Sequence, residues 1–299
     1  MKIFLTGATG YIGSSVAKFL IDKGNQVYGL YRNPDKAGDL KQLGIISVHG
    51  TLEDKVLLYQ YAQLADAVIH TADSDHNESI ETMLDALSGS GKIFIHTSGS
   101  SVVGDDVLGK SENPEVFDEE SLFTPMDVRV DRVAINNMVR IRGIMSQIRT
   151  VVIVPSMIYG NSLGLDTQSD QLPVIFRKSR ELGKGIYVGN GVNRWSNVHI
   201  ADLAELYWLA LEKAPSASYF YAENGEESYL ELAGYVSNAM GFCGETESWK
   251  ATDALAELGD WARFALGSNS RVRAVHARRL LGWHPKGESV SSWIASSVH

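Results

Sequence analysis

Three glycines near the start of the chain have the spacing of a phosphate-binding loop. Gly7, Gly10 and Gly13 lie in TGATGYIG, directly after an apolar run and directly before a helical pattern. Glycine permits a tight turn and a close approach of the backbone, while free N–H groups and the positive end of the helix dipole stabilise an anion. This order of strand, glycine loop and helix predicts a dinucleotide-binding site.

A cation follows the second apolar run and bears on which dinucleotide is bound. The sequence has Tyr31, Arg32 and Asn33 where an NAD-selective site carries Asp or Glu for the ribose hydroxyls. A guanidinium can pair with a 2′-phosphate through two parallel hydrogen bonds, whereas a carboxylate would repel it. We therefore expect NADP as the cofactor, with NAD less favoured. A solvated arginine at a strand end is the alternative.

Short apolar runs alternate with amphipathic segments over the first half of the chain, which is typical of repeated βα units. The predicted strands cover residues 3–5, 26–31, 45–49, 67–71, 92–97 and 150–154, and the clearest helix covers residues 12–23 with Gly24 as its stop. The pattern predicts an α/β fold with a Rossmann-type, doubly wound parallel sheet in residues 1–160. Residues 161–299 are expected to form a smaller C-terminal substrate lobe that interleaves with this domain.

The composition excludes several classes of partner. A formal net charge of −9 argues against binding to nucleic acid or an anionic membrane, because both need a positive surface. Cys243 is the single cysteine, so we expect no disulfide and no metal site built on thiolates. Thr6 and Gly7 interrupt the first apolar run too early for a signal peptide or a membrane span. We expect a cytoplasmic protein with a small-molecule substrate, and a homodimer stays open.

Several segments of the chain share the order and spacing of one known family. They are TGATGYIG at 6–13, GTLED at 50–54, ADAVIHTA at 65–72, HTSGSSVVGD at 96–105, PSMIYG at 155–160, WSNVHIADLAEL at 195–206 and LGWHP at 281–285. Together they resemble the extended and atypical short-chain dehydrogenases/reductases, the NAD(P)-dependent epimerase/dehydratase family. The resemblance covers almost the whole chain.

This resemblance implies a set of residues along the cofactor. Ala8, Tyr11 and Ile12 would lie near the pyrophosphate and Leu52 on the adenine side. The path of the dinucleotide would be lined by Thr71, Ala72 and Thr97, and the nicotinamide would be approached by Pro155 and Ile158.

The proton-transfer motif of the family is altered in this sequence. Its Tyr-x-x-x-Lys pair, counted back from Pro155, falls on Val128 and Arg132. If both lie on one helix they share a face, and Arg132 can reach the nicotinamide ribose as a cation. Val128 has no ionisable proton. The remaining catalytic candidates are Ser98, Ser100 and Arg132, where a serine can orient a carbonyl but is a poor acid by itself.

Other charged and polar residues are expected to have structural roles. We expect His199 and Asp202 to satisfy backbone groups where the lobes meet. The polar stretch after the fifth strand and the C-terminal arginines are expected on solvated surfaces, with a cation site for a substrate diphosphate as the alternative for the arginines. These residues are Asp105, Asp106, Glu119 and Glu120, and Arg271, Arg273, Arg278 and Arg279.

Three functions remain open from the sequence. The leading hypothesis is an NADP-dependent oxidoreductase that acts on a small carbonyl or alcohol. A non-catalytic NADP-binding or redox-sensing protein is favoured by the substitutions at Val128 and Arg132. A nucleotide-sugar epimerase or dehydratase keeps the fold, but the sequence offers no clear base for it.

Overall fold

A computed structural model describes residues 1–297. Its strands are β1 (Lys2–Thr6), β2 (Gln26–Tyr31), β3 (Ile46–His49), β4 (Ala67–His70), β5 (Ile93–Thr97), β6 (Arg149–Pro155), β7 (Met157–Tyr159), β8 (Gly185–Val188), β9 (Arg194–His199), β10 (Ser218–Ala222), β11 (Gly225–Ser228) and β12 (Thr246–Trp249). Its helices are α1 (Tyr11–Asp22), α2 (Ala37–Gln42), α3 (Lys55–Leu64), α4 (Asn77–Leu87), α5 (Val130–Met145), α6 (Gln171–Leu182), α7 (Ile200–Lys213), α8 (Tyr229–Ala239), α9 (Ala251–Leu258), α10 (Val275–Leu281) and α11 (Val290–Ser297).

One seven-stranded sheet organises the larger part of the molecule, in the order β10-β6-β5-β4-β1-β2-β3. Every pair of neighbouring strands in it is parallel. Strands β4 and β5 are buried along their whole length, as expected where helices cover both faces of a sheet. The predicted Rossmann fold is confirmed. The chain reverses its direction across the sheet between β1 and β4, and such a switch point is where α/β sheets bind ligands.

The strands predicted from the sequence agree with those of the structure to within one or two residues at each end. The predicted helix at 12–23 is α1, Tyr11–Asp22, with Val16, Ala17 and Leu20 buried on its inner face. Gly24 follows it at φ +83°. Its N–H donates to the Ile21 carbonyl at 2.8 Å, so the left-handed turn expected of a glycine stop ends the helix.

A second, smaller lobe is built on two short sheets. Strands β11, β9 and β7 form a three-stranded sheet, and β12 pairs with β8. The lobe has its own apolar cluster, which includes the buried side chains of Tyr159, Trp195, Tyr229, Trp249 and Trp293. The tryptophans of this half thus serve mainly as core.

The two lobes are interleaved along the chain. Strand β10 completes the edge of the large sheet by pairing with β6, and α7 packs against α1. Residues 200–222 therefore return to the sheet that residues 1–160 begin. A domain boundary at residue 160 stays a prediction, because the apolar core of the first domain includes these later elements.

The helices of residues 1–297 are all too short or too polar to cross a bilayer.

Candidate functional site

The three glycines of the first loop meet different steric demands. Gly7 has a φ of +76°, and a Cβ there would lie 2.9 Å from the backbone of Ala72. At Gly13 a Cβ would lie 2.1 Å from the Gly7 carbonyl oxygen. At Gly10 the nearest atom would be 3.4 Å away, an ordinary contact. The protein itself therefore needs glycine at positions 7 and 13, whereas the space at Gly10 is left for something outside the chain.

Two cavities meet at this loop, on the carboxyl edge of the large sheet. One has a volume of about 420 Å³ and the other about 320 Å³, and Gly10 and Thr71 line both. The first-turn N–H groups of α1 have no partner within their own helix, so they can bind an anion at this junction. Two chambers joined at an anion site fit the two halves of a nicotinamide dinucleotide joined by its pyrophosphate.

The larger of these two chambers, which we call the adenosine chamber, receives the residues expected on the adenosine side. Its walls include Gly7, Gly10, Arg32, Leu52, Thr71 and Ala72. Arg32 is exposed at the end of β2. Two carboxylates that the sequence argument did not consider, Glu53 and Asp73, line the same chamber together with His76.

The other chamber, which we call the nicotinamide chamber, is lined by most of the remaining predicted residues. They are Gly10, Tyr11, Ile12, Gly13, Thr71, Ser98, Ser100, Arg132, Pro155 and Ile158. Tyr11 also ties the lobes together, because its hydroxyl donates to the Gly160 carbonyl at 2.7 Å.

Two residues expected along the cofactor have their side chains behind the chamber walls. Ala8 is fully buried in the core of the sheet. The Thr97 hydroxyl lies 2.7 Å from the hydroxyl of Tyr207 on α7, so it fastens a helix to β5. Neither residue is among those that line the two chambers.

The serine hydroxyls of the nicotinamide chamber are held by neighbours that the sequence argument missed. Ser98 Oγ accepts from the amide of Asn136 at 3.0 Å, and Ser100 Oγ accepts from Ser270 Oγ at 2.7 Å. Both serines are buried. Because the Asn136 amide is the donor, the Ser98 hydroxyl keeps its own proton to donate toward the chamber. The single proton of the Ser270 hydroxyl has two acceptors on Ser100, the hydroxyl oxygen and the carbonyl oxygen at 2.8 Å. The position of Asn136, four residues after Arg132 on α5, was the signal available in the sequence.

Arg132 is bound to a carboxylate from another loop. Its Nε donates to Asp75 Oδ1 at 2.7 Å, its Nη2 also donates to Asp75, and Nη1 lies 3.4 Å from Ser101 Oγ. These hydrogen bonds, above all, lower the pKa of the Asp75 carboxyl. The guanidinium therefore lines the chamber with its charge largely balanced, and it is not a free cation.

Val128 does not lie on α5, the helix that carries Arg132, so the expectation that the two residues share a helix face is wrong. Val128 belongs to a 3-10 turn, Asp127–Arg129, that precedes α5, and it is 54% exposed. It is not among the residues that line the nicotinamide chamber, whereas Arg132 is. A 3-10 turn has fewer residues per turn than an α-helix, so two residues four apart across the junction do not share one face.

The polar residues where the lobes meet are mostly structural. His199 Nδ1 accepts from the Ala201 N–H at 3.2 Å, and the Asp202 carboxylate accepts from the N–H groups of Lys286 and Gly287 at 2.7 and 2.9 Å. This confirms the expectation for both. Asp106 and Glu120 are exposed as expected.

Asp105 and Glu119 differ from that expectation. Asp105 accepts from the N–H of Asn269 at 2.8 Å, and Glu119 accepts from three backbone N–H groups, those of Tyr221, Val275 and His276. Backbone donors brought in from the C-terminal half, not solvent, surround these two carboxylates.

The C-terminal arginines are paired within the protein. Arg271 donates to Glu226 at 2.9 Å and Arg278 to Glu223 at 2.6 Å. Glu223 is buried, and the side chain of Glu226 is 10% exposed. Among residues 1–297 there is also no group of three or more His, Cys, Asp or Glu side chains arranged to hold a metal ion.

Comparison with known proteins shows the family of the chain. A family model described as NAD dependent epimerase/dehydratase family matches residues 3–220. The chain belongs to this family. Its members use nicotinamide dinucleotides, and the prediction of an NAD(P)-dependent enzyme with a Rossmann fold is confirmed.

Individual relatives match most of the length of this chain. The chain is 32% identical to oxidase ucsJ of Acremonium sp over 96% of this chain and 93% of that protein. It is 25% identical to a decarboxylating sterol-4-alpha-carboxylate 3-dehydrogenase of Dictyostelium discoideum over 75% of this chain and 72% of that protein. In fold it is similar to dTDP-glucose 4,6-dehydratase of Bacillus anthracis in complex with NAD, with a TM-score of 0.79, 16% identity and coverage of 100% and 95%.

Proposed function

We propose that this chain is an NADP-dependent oxidoreductase that interconverts a small carbonyl compound and its alcohol. The observation that carries the proposal is the pair of chambers that meet at Gly10, with Arg32 in one and the hydroxyls of Ser98 and Ser100 in the other. The names of the two relatives, an oxidase and a dehydrogenase, support redox chemistry.

The residues around the nicotinamide chamber orient the carbonyl group and pack against the nicotinamide ring. Ser98 and Ser100 donate hydrogen bonds to the carbonyl oxygen and hold it for reaction. Bound NADPH would supply the hydride. Pro155 and Ile158 form an apolar wall against which a nicotinamide ring can pack. The negative charge that develops on the oxygen is stabilised by the two hydroxyls, since Asp75 already balances Arg132.

A panel of carbonyl compounds tests this function. Purified protein with NADPH is incubated with small aldehydes, ketones and quinones, and the loss of absorbance at the reduced nicotinamide band is followed. Turnover of at least one compound, abolished when the protein is omitted, supports the proposal. Tight binding of NADPH without turnover of any compound contradicts it.

That second outcome would favour an NADP-binding sensor. Two observations support this alternative: Val128 lies outside the chamber and Arg132 is paired with Asp75. A nucleotide-sugar epimerase or dehydratase has less support, because Arg271 and Arg278 are engaged by Glu226 and Glu223 and are not free for a diphosphate.

The preference for NADP over NAD rests on Arg32. Replacing it by glutamate removes the cation and adds a repelling charge, so Arg32→Glu should weaken NADPH binding about 10-fold to 100-fold while changing NADH binding little. Dissociation constants are measured by nucleotide fluorescence. Lys36→Glu is the matched control, because Lys36 is an exposed cation on the same loop that pairs with Asp39 and does not line the chamber.

Equal losses for both dinucleotides would sink the assignment of Arg32 to the 2′-phosphate. Glu53 and Asp73 line the same chamber and oppose an anion there, so this experiment separates the effect of Arg32 from that of its acidic neighbours.

A further inference from the structure

The nicotinamide chamber needs a proton donor that the usual positions do not provide. Reduction of a carbonyl ends with a proton on the new alkoxide oxygen, and a serine hydroxyl is a weak acid at neutral pH. Val128 has no ionisable proton and is not among the residues that line the chamber. The guanidinium of Arg132 is bound to the Asp75 carboxylate.

One carboxyl group lines the same chamber. Asp170 immediately precedes α6 and lines the chamber together with Ser98, Ser100 and Arg132. It comes from the second lobe, whereas the serines follow β5 of the large sheet. Both lobes therefore contribute polar side chains to the chamber.

Asp170 makes none of the contacts that would explain it structurally. Aspartate at the start of a helix usually accepts from a backbone N–H of the first turn, but the Asp170 side chain makes no such cap. Within residues 1–297 it forms no ion pair. Its neighbour Gln171, by contrast, is fully used, since its amide donates to Tyr229 Oη at 3.0 Å and to the Ala265 carbonyl at 3.1 Å.

The surroundings of Asp170 destabilise its charged form. Solvent reaches the side chain, but the carboxyl group lines a concave cleft, and partial desolvation raises its pKa. The other ionisable side chains that line the chamber are Tyr11, whose hydroxyl is bound to Gly160, and Arg132, which is paired with Asp75. A carboxyl group is a far stronger acid than a serine hydroxyl, and a raised pKa increases the fraction of it that carries a proton.

We propose that Asp170, which lines the same chamber as Ser98 and Ser100, is the catalytic acid of the carbonyl reduction. This inference rests on the proposed function. As the hydride adds to the carbonyl carbon, the π electrons move to oxygen, and that oxygen takes the proton of the Asp170 carboxyl group. The resulting carboxylate regains a proton from water at the open side of the cleft. In the reverse direction the Asp170 carboxylate accepts the proton of the alcohol.

Kinetics of one isosteric variant test this role. Asp170→Asn keeps the shape but has no carboxyl proton, so we expect kcat to fall about 100-fold or more while the dissociation constant of NADPH changes less than about twofold. Asp166→Asn is the control, because Asp166 is an exposed carboxylate of the same loop that does not line this chamber. Its kcat should equal that of the wild type. An unchanged kcat in Asp170→Asn would overturn the proposal.

A second measurement does not depend on turnover. Carboxyl carbon NMR of the full chain with bound NADP⁺, assigned by the signal lost in Asp170→Asn, gives the pKa of Asp170 directly. The value should lie above that of an ordinary aspartate. A value at or below the ordinary one overturns the proposal, since the chamber would then not stabilise the protonated acid. Absence of turnover in the wild type would instead contradict the proposed function, and the measured pKa still decides on Asp170.

Discussion

At the scale of single residues, the glycine loop separates what the fold requires from what a ligand requires. Gly7 needs its left-handed backbone, and Gly13 packs its Cα against the Gly7 carbonyl. Gly10 has φ −82° and ψ 169°, which any residue adopts, and nothing in the protein crowds it. Of the three glycines in the motif, two are thus required by the packing of the protein itself, and Gly10 is the one that this packing leaves free.

Alanine at the last two positions should therefore have opposite effects. Gly13→Ala forces a Cβ to 2.1 Å from a backbone oxygen, and we expect a loss of about 3 kcal/mol or more in the free energy of unfolding. Gly10→Ala should cost only about 1 kcal/mol, the loss of a favourable N-cap residue, yet weaken dinucleotide binding about tenfold. Urea unfolding and nucleotide titration measure the two effects. Normal binding by Gly10→Ala would contradict the assignment.

At the scale of elements, one carboxylate joins two parts of the C-terminal half to the large sheet. Glu119 Oε1 accepts from the N–H of Tyr221 in β10 at 3.1 Å. Its Oε2 accepts from the first-turn N–H groups of α10, Val275 and His276, at 3.1 and 3.2 Å. A long loop thereby fixes the edge strand and the start of a helix, whose unpaired N–H groups attract an anion.

The adjacent glutamates allow a matched test of this link. Glu119→Gln replaces one accepting oxygen by an NH₂ group that faces backbone donors, so we expect a loss of about 2 kcal/mol in the free energy of unfolding. Glu120 is exposed and pairs with His276 and Arg279, so Glu120→Gln should cost less than about 0.5 kcal/mol. Denaturant unfolding of the two variants checks this. Equal stabilities would show that Glu119 does not hold the two elements.

At the scale of the whole molecule, two buried histidines in the core of the sheet should make the stability of the protein depend on pH. His70 and His96, at the ends of β4 and β5, stack with ring centroids 5.8 Å apart. His70 is bonded to Thr6 and to the Asp73 carbonyl, whereas within residues 1–297 neither ring nitrogen of His96 has a partner. Burial lowers the pKa of His70 to about 4 and that of His96 well below its usual value.

The protein should lose stability in mild acid for this reason. The unfolded chain takes up a proton on each histidine near pH 6.5, but the folded protein keeps His70 neutral until about pH 4. The unfolded state thus binds more protons in this window, and stability falls as the pH decreases from about 6.5 to about 4, by about 3 kcal/mol for His70 alone. Urea unfolding at pH 7.5, 6 and 5 measures the fall.

Removing one histidine should reduce this dependence. His96→Phe deletes a buried ring that titrates and leaves no broken hydrogen bond, so its stability should vary less with pH than that of the wild type. His284→Phe, at an exposed position, should behave as the wild type. A pH dependence unchanged in His96→Phe would show that His96 does not contribute.

The sequence by itself determined the features that depend on neighbouring residues. Apolar runs, the glycine spacing and the stop at Gly24 predicted the six strands, the helix α1 and the Rossmann fold, because strand and helix formation and positive φ angles are local properties. The family resemblance pointed to many of the residues that line the two chambers, which lie where the ends of parallel strands meet at one edge.

Only the tertiary structure decided which charges and hydroxyls face one another. Arg132 meets Asp75 from a position 57 residues away, Ser100 meets Ser270 across 170 residues, and Glu119 meets backbone groups more than 100 residues along the chain. Asp170 lines the same chamber as the serines because the second lobe contributes to the cavity at the edge of the sheet. Such pairings follow from the packing of whole elements. The 3-10 turn at Val128 shows in addition that one local irregularity can invalidate a position inferred by counting residues along the sequence.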